Sequence, residues 1–332
     1  MPPPDKCVAF IGLGVMGYPM AINLRKKLPN ETTLYINDVS EAVIEKFCLE
    51  TAGHGPVVVA ATGLHAVQVA DTVITMLPDS PAVKSVYLDS GTGILAGISA
   101  IATSKGPVNK LLIECGTIER ATIDKVCAAV ETCAKTLPTG SNLDFSDAPV
   151  SGGPMGAQAG TLAFMVGTNK SDSLFPKIKE VLKPMGKASS IFLCGPVGAG
   201  VSFKVINNYI SAITSLASSE ALNIGVKLGY DPKTLTQVIN ASGGQNWIVS
   251  NSNPVPGVQE NVPSSRNYEG GFRIELCKKV LEMGIELAKQ AGARTVLDGP
   301  TLAAFEEAAA DERYKGKDAR VVYRWLSESH ST

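Results

Sequence analysis

The sequence predicts an α/β domain built on a doubly wound parallel sheet, followed by an all-α domain. From residue 6 to about residue 193, short apolar runs alternate with helical patterns, which is typical of a parallel sheet covered by helices on both faces. After Gly195 only helical patterns follow, and no stretch there predicts a strand. We therefore expect two domains, residues 1–196 and 197–330, joined by one long interdomain helix at about 199–227.

Hydrophobic periodicity predicts the elements of both domains. Apolar runs predict strands at 6–11, 33–36, 57–60, 72–76, 110–114, 143–148, 163–166 and 189–193. Helical patterns lie between most of these runs, at 16–28, 41–49, 121–136 and 173–185. The second domain has further helical patterns at 232–241, 275–291, 302–311 and 318–327. Residues 242–271 are rich in Asn, Ser, Pro and Gly, and an irregular segment of that length usually indicates function or disorder.

The composition excludes several classes of protein. Of 332 residues, 45% are hydrophobic and 18% are charged, so the chain has apolar material for a core in each domain and no sign of disorder. The 30 Lys and Arg residues balance 31 Asp and Glu residues, giving a net charge of −1. Such a chain has no basic footprint for nucleic acid and no polybasic membrane patch. No segment is apolar for long enough to span a membrane.

Cysteine and histidine usage argues against a metal site. The 7 cysteines are widely spaced and include no C-x-x-C pair, which indicates a reduced intracellular protein without a disulfide framework or zinc site. With only 3 histidines, neither a His-based metal cluster nor a His general base is expected. The sequence as written shows no transit peptide, so we expect a cytoplasmic location.

A glycine-rich turn follows the first predicted strand and opens the first predicted helix: Gly12-Leu13-Gly14-Val15-Met16-Gly17. The first glycine of such a motif permits a tight turn, the second lets backbone approach a pyrophosphate, and the third lets helix pack on strand. Asp38 ends the second predicted strand, where a carboxylate binds a ribose hydroxyl and repels a 2′-phosphate. The alternative is a simple turn and a surface Asp. The strand, the glycine turn, the helix and Asp38 occur in the order and at the spacing that a dinucleotide site requires. They favour a site for NAD rather than NADP.

A second glycine-rich segment, from Asp147 to Ala157, ends another predicted strand. Successive small residues there expose backbone N–H groups in a concave nest suited to a carboxylate. Ser151 adds a hydroxyl donor, and Gly152 and Gly153 follow it directly. The same segment also fits an ordinary tight turn, so on these residues alone both interpretations stand.

Two polar residues of the long predicted helix, Lys204 and Asn208, lie one turn apart and so project from one face. A Lys in an apolar helical stretch either extends its charge to solvent or serves a function. If partly buried, its pKa falls and it can exchange a proton near neutral pH. Taken alone, Lys204 fits a lysine at a domain edge, but beside a nicotinamide site an acid/base role is the better interpretation.

Several motifs in order resemble the β-hydroxyacid dehydrogenase family. They are GLGVMGYPMAINL at 12–24, MLPDS at 76–80, DAPVSGGPMGAQAGTL at 147–162 and GAGVSFKVINN at 198–208. The resemblance runs over about residues 6–326, nearly the whole chain.

The resemblance implies a role for each matching residue. Lys204 would be the catalytic acid/base, Asn208 its partner on the substrate oxygen, and Ser151 with Gly152 and Gly153 the carboxylate site. The family places NAD on the following residues of this chain: Gly12, Leu13, Gly14, Val15, Met16, Gly17, Asn37, Asp38, Met76, Leu77, Pro78, Thr117 and Lys279. It also places the interdomain helix in a dimer or tetramer interface, so a homodimer or homotetramer is expected.

The implied activity is an NAD-dependent oxidation of a small 3-hydroxyacid. Residues 253–272 are similar to family members that act on 3-hydroxyisobutyrate, whose product is methylmalonate semialdehyde in valine catabolism. The alternatives are another 3-hydroxyacid or semialdehyde reductase, acting on glyoxylate or tartronate semialdehyde, and a catalytically silent NAD-binding protein. Family members that degrade valine work in mitochondria, so by this analogy the mitochondrial matrix is the alternative to the cytoplasm.

The chain departs from the family pattern in two segments. Near Thr117 the family usually has Asp-x-Ser-Thr, whereas this chain has Glu114-Cys115-Gly116-Thr117. After the lysine at 279 the family usually has Asp, and here Val280 follows. These changes bear on cofactor affinity and substrate choice rather than on Lys204.

Overall fold

The computed structural model describes residues 7–328, so residue 6 of the first predicted strand and residues 329–330 of the second predicted domain lie outside it. The chain folds as two compact units. The first ends at Lys204 and the second begins at Val205, inside one long helix. Among the described residues, no helix is long and apolar enough to cross a membrane.

The first unit contains a nine-stranded sheet within the described residues. Its strands are β1 (Cys7–Ile11), β2 (Thr33–Asn37), β3 (Val57–Val59), β4 (Thr72–Thr75), β5 (Asn109–Glu114), β6 (Asn142–Asp147), β7 (Val150–Ser151), β8 (Leu162–Gly167) and β9 (Gly186–Gly195). Its helices are α1 (Gly17–Lys27), α2 (Glu41–Glu50), α3 (Gly63–Val69), α4 (Ser80–Leu88), α5 (Ile94–Lys105), α6 (Arg120–Thr136), α7 (Gly153–Ala159) and α8 (Ser171–Leu182).

The strand order confirms the doubly wound α/β class. Strands β1 to β6 pair in parallel in the order 3-2-1-4-5-6, which is that of dinucleotide-binding sheets. Neighbouring residues of one strand face opposite sides: Phe10 belongs to one apolar cluster, whereas Ala9 and Ile11 belong to another. Both faces of the sheet are therefore covered, as the alternating sequence pattern predicts.

The expectation of a uniformly parallel sheet is wrong at one edge. Strand β8 pairs antiparallel with β6 and β7, and β9 pairs in parallel with β8. The connection between β6 and β8 contains the two-residue strand β7 and the seven-residue helix α7. β7 follows β6 directly and pairs antiparallel with β8, so the chain reverses through α7 and β8 returns antiparallel to β6.

Sequence periodicity also missed α3, α4 and α5, which lie between β3 and β5. In α5, Ile94, Ile98 and Ile101 are buried, but apolar residues occur around the whole helix. A helix without a polar face gives no clear 3.6-residue period, so its pattern is not recognisable in the sequence.

A long helix, α9 (Ala199–Lys227), leads into the second unit, which is helical as predicted. The remaining helices are α10 (Pro232–Asn240), α11 (Trp247–Asn251), α12 (Ile274–Gln290), α13 (Asp298–Ala310) and α14 (Val322–Glu328). The segment predicted to be irregular contains α11 and a 3-10 helix, and it is tied by side-chain bonds. Asn246 Oδ1 accepts from the Ile248 and Val249 N–H groups, and buried Ser264 donates to the Asn253 carbonyl at 2.6 Å.

One fully buried cation supports the first unit. Arg25 of α1 is 0% exposed, and its guanidinium donates to the carbonyls of Thr32 at 2.5 Å and Pro29 at 2.8 Å. Longer bonds reach the carbonyls of Leu28 and Pro56, both at 3.3 Å. Burial lowers the pKa of the Arg25 guanidinium. The side chain thereby joins the end of α1 to the segments that precede β2 and β3.

Replacing Arg25 with Met should lower the free energy of unfolding by about 3 kcal/mol or more, because the buried Thr32 carbonyl and three part-buried carbonyls lose their donor. The neighbouring Lys26 is exposed, and Lys26→Met should change that free energy by less than about 0.5 kcal/mol. Urea unfolding of both variants measures the difference. Equal stability of the two would contradict the assigned role of Arg25.

Candidate active site

The carboxyl ends of β1, β2, β4 and β5 lie along one edge of the sheet. The order of the strands reverses between β1 and β4, and each strand is followed by a loop at that edge. In open α/β sheets, ligands bind in the crevice at such a switch point. The glycine motif follows β1 directly, so the fold places it at this crevice.

Steric contact explains two of the three motif glycines. Gly12 has φ +96°, and a Cβ there would lie 2.4 Å from the Met76 carbonyl oxygen. A Cβ at Gly17 would lie 1.9 Å from the Gly12 carbonyl oxygen, so α1 approaches β1 too closely for any side chain. A Cβ at Gly14 would meet no atom within 4 Å. The space beside Gly14 is therefore open for a ligand, as a pyrophosphate at this backbone requires.

The other loop residues differ in exposure. Leu13 is buried, Met16 packs against the apolar core, and Val15 is 74% exposed at the crevice. Asp38 follows β2 and is half-buried, and its Oδ2 accepts from the Leu13 N–H at 2.6 Å. Asn37 donates from Nδ2 to the Ala60 carbonyl at 2.7 Å. Asp38 is thus fixed against the glycine loop, and Asn37 supports the end of β2.

The loops after β4 and β5 lie at the same edge of the sheet as the glycine loop. Leu77 is buried and Pro78 is exposed just after β4, while Met76 is half-buried. The N-terminus of α4 is capped there, because the Asp79 carboxylate accepts from the Ala82 N–H at 2.9 Å. Thr117 is half-buried in the loop that follows β5.

A buried carboxyl that the motif search did not assign lies between these loops. Glu114 ends β5, is 0% exposed and accepts from the Gly116 N–H at 2.7 Å, from the Leu77 N–H and from the Thr75 hydroxyl. Burial, with a smaller effect of the nearby Asp147, raises the pKa of Glu114 to about 8. Its sequence signals are an acidic residue at the end of an apolar strand and its place at the Asp of the family's Asp-x-Ser-Thr pattern.

A second buried carboxyl fixes the start of α9. Asp147 ends β6, pairs in register with Glu114, and accepts from the Gly198 and Val201 N–H groups, both at 2.7 Å. Carboxylates at a helix N-terminus satisfy its free N–H groups and favour its dipole. Burial raises the pKa of Asp147 to about 6 despite these bonds. The first turn of α9 is therefore held at the same edge of the sheet.

The glycine nest predicted for a carboxylate lies in the antiparallel part of the sheet. Ser151 is half-buried and pairs in register with Ala163 of β8. Gly152 and Gly153 are exposed, with φ +134° and +60°, and α7 begins at Gly153. Their N–H groups are free of the intrahelical bonds that begin further along α7.

Lys204 lies one turn beyond the capped start of α9. Its side chain is half-buried, and among residues 7–328 it has no ion-pair or hydrogen-bond partner. Desolvation by burial lowers the pKa of Lys204 to about 8. Asn208, one turn further on, is half-buried, and its side-chain oxygen accepts from Asn207 Nδ2 at 3.4 Å.

Lys279 belongs to the second unit, where it lies half-buried on α12 and lines a surface groove with residues of α12 and α13. Its neighbour Lys278 is paired with Glu306 of α13 at 3.2 Å. Val280 is 5% exposed, so the side chain that replaces the usual acid of the family faces the interior of the helical unit.

Comparisons with known proteins agree with this architecture. The family model for the NAD binding domain of 6-phosphogluconate dehydrogenase matches residues 7–195. A second model, for the NAD-binding region of NADP-dependent 3-hydroxyisobutyrate dehydrogenase, matches residues 198–326. The two models together cover nearly all the described chain.

Individual relatives are similar over most of their lengths. The NAD-dependent L-serine dehydrogenase of Pseudomonas aeruginosa is 37% identical over 96% of this chain and 97% of that protein. The mitochondrial 3-hydroxyisobutyrate dehydrogenase of Mus musculus is 36% identical over 97% of this chain and 87% of the mouse protein. The structure of Mycobacterium tuberculosis 3-hydroxyisobutyrate dehydrogenase with L-serine has a TM-score of 0.77 at 31% identity, covering 96% of this chain and 98% of that one.

The glycine motif at the switch point, the helical second unit and these full-length matches lead to one assignment. NAD is the cofactor, and the chain belongs to the β-hydroxyacid dehydrogenase family, close to its 3-hydroxyisobutyrate dehydrogenases.

Proposed function

We propose that this protein oxidises 3-hydroxyisobutyrate to methylmalonate semialdehyde with NAD, and that Lys204 is its general acid/base. The observation that carries the proposal is a half-buried Lys204 that has no ion-pair or hydrogen-bond partner among residues 7–328 and has a pKa lowered to about 8. It lies one turn after a helix start that Asp147 fixes at the cofactor edge of the sheet. A lysine whose pKa lies near neutrality both accepts and returns a proton at working pH.

The cofactor fits the first unit as follows. The pyrophosphate would lie in the open space beside Gly14 at the start of α1, with Leu13, Val15 and Met16 completing the loop. Asp38, supported by Asn37, would bind the adenosine ribose. Met76, Leu77, Pro78 and Thr117 would line the other half of the dinucleotide. Only the family resemblance assigns Lys279 of the second unit to the cofactor.

The chain's own residues would perform the proton transfer and hold the substrate. The neutral amine of Lys204 would accept the proton of the substrate hydroxyl, and Asn208 would donate a hydrogen bond to that oxygen. Ser151, with the N–H groups of Gly152 and Gly153, would hold the carboxylate and so fix the carbinol carbon. Bound NAD supplies the hydride acceptor.

L-Serine is the second candidate substrate. It shares the carboxylate and the 3-hydroxyl with 3-hydroxyisobutyrate and differs at C2, which carries an ammonium instead of a methyl group. A 37% identical relative is named as an L-serine dehydrogenase, and the similar Mycobacterium tuberculosis structure was solved with L-serine. Glyoxylate or tartronate semialdehyde reduction and a catalytically silent NAD-binding role are the remaining alternatives. Retention of Ser151, Lys204 and Asn208 together argues against the silent role.

A panel of hydroxyacids should separate these candidates. We expect NADH formation from NAD to be fastest, by kcat/KM, with 3-hydroxyisobutyrate, and slower with L-serine, 3-hydroxypropionate and glycerate. A preference for L-serine would transfer the assignment to the second candidate. NADH binding without turnover of any panel member would contradict the dehydrogenase proposal.

Lys204→Met should reduce kcat by at least about 10²-fold, because the variant keeps the apolar stem but loses the proton acceptor. NADH affinity should stay within about twofold of that of the wild type, since the cofactor residues are unchanged. Steady-state rates and NADH fluorescence titration provide the two measurements. Lys227→Met, at an exposed position of the same helix, is the control. Near-full activity of Lys204→Met would exclude the proposed mechanism.

The rate of oxidation should depend on pH through the same lysine. Burial disfavours the charged ammonium, so Lys204 loses its proton at a pH near 8 rather than above 10. Oxidation needs the neutral amine, and kcat/KM should therefore rise with pH and level off above about pH 8. A profile that falls over this range would contradict a general-base role for Lys204.

Cofactor choice should depend on Asp38. Asp38→Ser removes the carboxylate that would repel a 2′-phosphate, so kcat/KM for NADP should rise at least about tenfold and that for NAD should fall. The test is the ratio of the two values. An unchanged ratio would indicate that the adenosine ribose does not bind at Asp38.

We further propose that the protein is a homodimer or homotetramer through α9. Exposed apolar residues follow one face of this helix in the second unit: Ile206, Ile210 and Ile224 are each more than half exposed. Their spacing is that of a helix–helix seam, and large apolar patches of this kind indicate protein interfaces.

Two cellular locations are candidates for this protein. The expectation from the sequence is a cytoplasmic location, and the alternative is the mitochondrial matrix. The mouse relative is named as mitochondrial, which supports the alternative. Fractionation of cells that express the full natural gene product distinguishes the two.

A further inference from the structure

Glu114 joins the loops that follow two neighbouring strands. Its carboxyl accepts from the Leu77 N–H in the loop after β4 and from the Gly116 N–H in the loop after β5. The side chain is fully buried, so neither bond competes with solvent. One carboxyl therefore sets the spacing between the two loops.

Side chains of the core anchor this carboxyl from behind. Glu114 Oε2 accepts from the Thr75 hydroxyl of β4, and the Thr75 oxygen lies 2.8 Å from the Tyr87 hydroxyl of α4. Thr75 and Tyr87 are both 0% exposed. The carboxyl is thus held by β4, α4 and two loops at once, and it has little freedom to move.

Gly116 makes the close spacing sterically possible. A Cβ at this position would lie 2.6 Å from Glu114 Oε1 and 2.6 Å from the Leu77 carbonyl oxygen. Any side chain at 116 would push the carboxyl and the Leu77 loop away. Glu114 and Gly116, which both differ from the Asp-x-Ser-Thr pattern of the family, are therefore sterically coupled in this chain.

The sheet topology indicates which part of the cofactor these loops would contact. The pyrophosphate site is at Gly14 after β1, and the ribose carboxylate, Asp38, follows β2 on one side of β1. A dinucleotide lies across the switch point, so its other half extends to the opposite side of β1, over β4 and β5. The loops joined by Glu114 follow these two strands.

We propose that Glu114 is a positioning residue for the nicotinamide half of the cofactor and that Gly116 is required for its action. The proposal rests on the proposed dehydrogenase function. Glu114 does not touch the reacting atoms. It holds the Leu77 and Gly116 loops at the separation in which Pro78 and Thr117 line the nicotinamide site.

The test compares the affinity for NADH with the affinity for ADP-ribose, which lacks the nicotinamide. The variants are Glu114→Ala, Glu114→Gln and Gly116→Ala, with Gly91→Ala as the matched control. A Cβ at Gly91 would lie no closer than 3.6 Å to any atom beyond its chain neighbours, so that substitution adds a methyl group without crowding. Thermal unfolding and calorimetric titration are run on each full-length protein.

We expect Glu114→Ala and Gly116→Ala to weaken NADH binding about tenfold or more, while ADP-ribose binding stays within about twofold of the wild type. Glu114→Gln keeps a side-chain oxygen for the backbone N–H groups, so it should restore most of the NADH affinity. Gly91→Ala should behave as the wild type does. If Glu114→Ala does not fold, Gly116→Ala and Glu114→Gln still give this comparison.

Two results would overturn the proposal. The first is unchanged NADH affinity in Gly116→Ala, which would show that the loop spacing does not matter to the cofactor. The second is an equal loss of NADH and ADP-ribose binding, which would indicate a general structural effect. Failure of the proposed function is distinguishable, because it would appear as absent turnover by the wild type, whereas this test measures binding alone.

Discussion

Parallel pairing of six strands is the constraint on which the rest of this structure depends. Because β1 to β6 run in one direction, all their carboxyl ends meet at one edge of the sheet. The reversal of strand order between β1 and β4 then opens a crevice at that edge. Residues that are far apart in sequence, such as Gly14, Asp38 and Thr117, come to the same edge through this arrangement alone.

Two buried carboxyls show how the fold converts this edge into a site. Glu114 and Asp147 end adjacent strands in register, where two negative charges in a dry environment are unfavourable. Each is stabilised by backbone N–H donors from a loop or a helix start, and the pKa of each is nevertheless raised. The free energy lost by burial is offset by bonds that fix the loops and α9 in place. Burial has a different consequence at Lys204, which has no partner among the described residues. There it lowers the pKa, so the ammonium group loses its proton more easily.

The sequence suggested the candidate site to the extent that its chemistry resides in short motifs. The glycine motif specifies a turn, a close contact and an open position, and the structure accounts for each of these at Gly12, Gly17 and Gly14. The role of Glu114 was not predictable, because its partners at 75 and 87 lie on other elements and no local pattern relates them. The reversed direction of β8 was missed for a similar reason. Apolar periodicity predicts that a strand exists, but it carries no information about the strand's direction.

The sequence by itself determined the order of the elements, the division into a sheet domain and a helical one, and the residue types available for dinucleotide and proton chemistry. These properties follow from local periodicity, glycine conformation and side-chain chemistry, which act over a few residues. Only the tertiary structure decided the burial of Lys204, the capping of α9 by Asp147 and the steric coupling of Glu114 with Gly116. Desolvation and close contact depend on atoms brought together from distant parts of the chain, and those distances are fixed only when the sheet has formed.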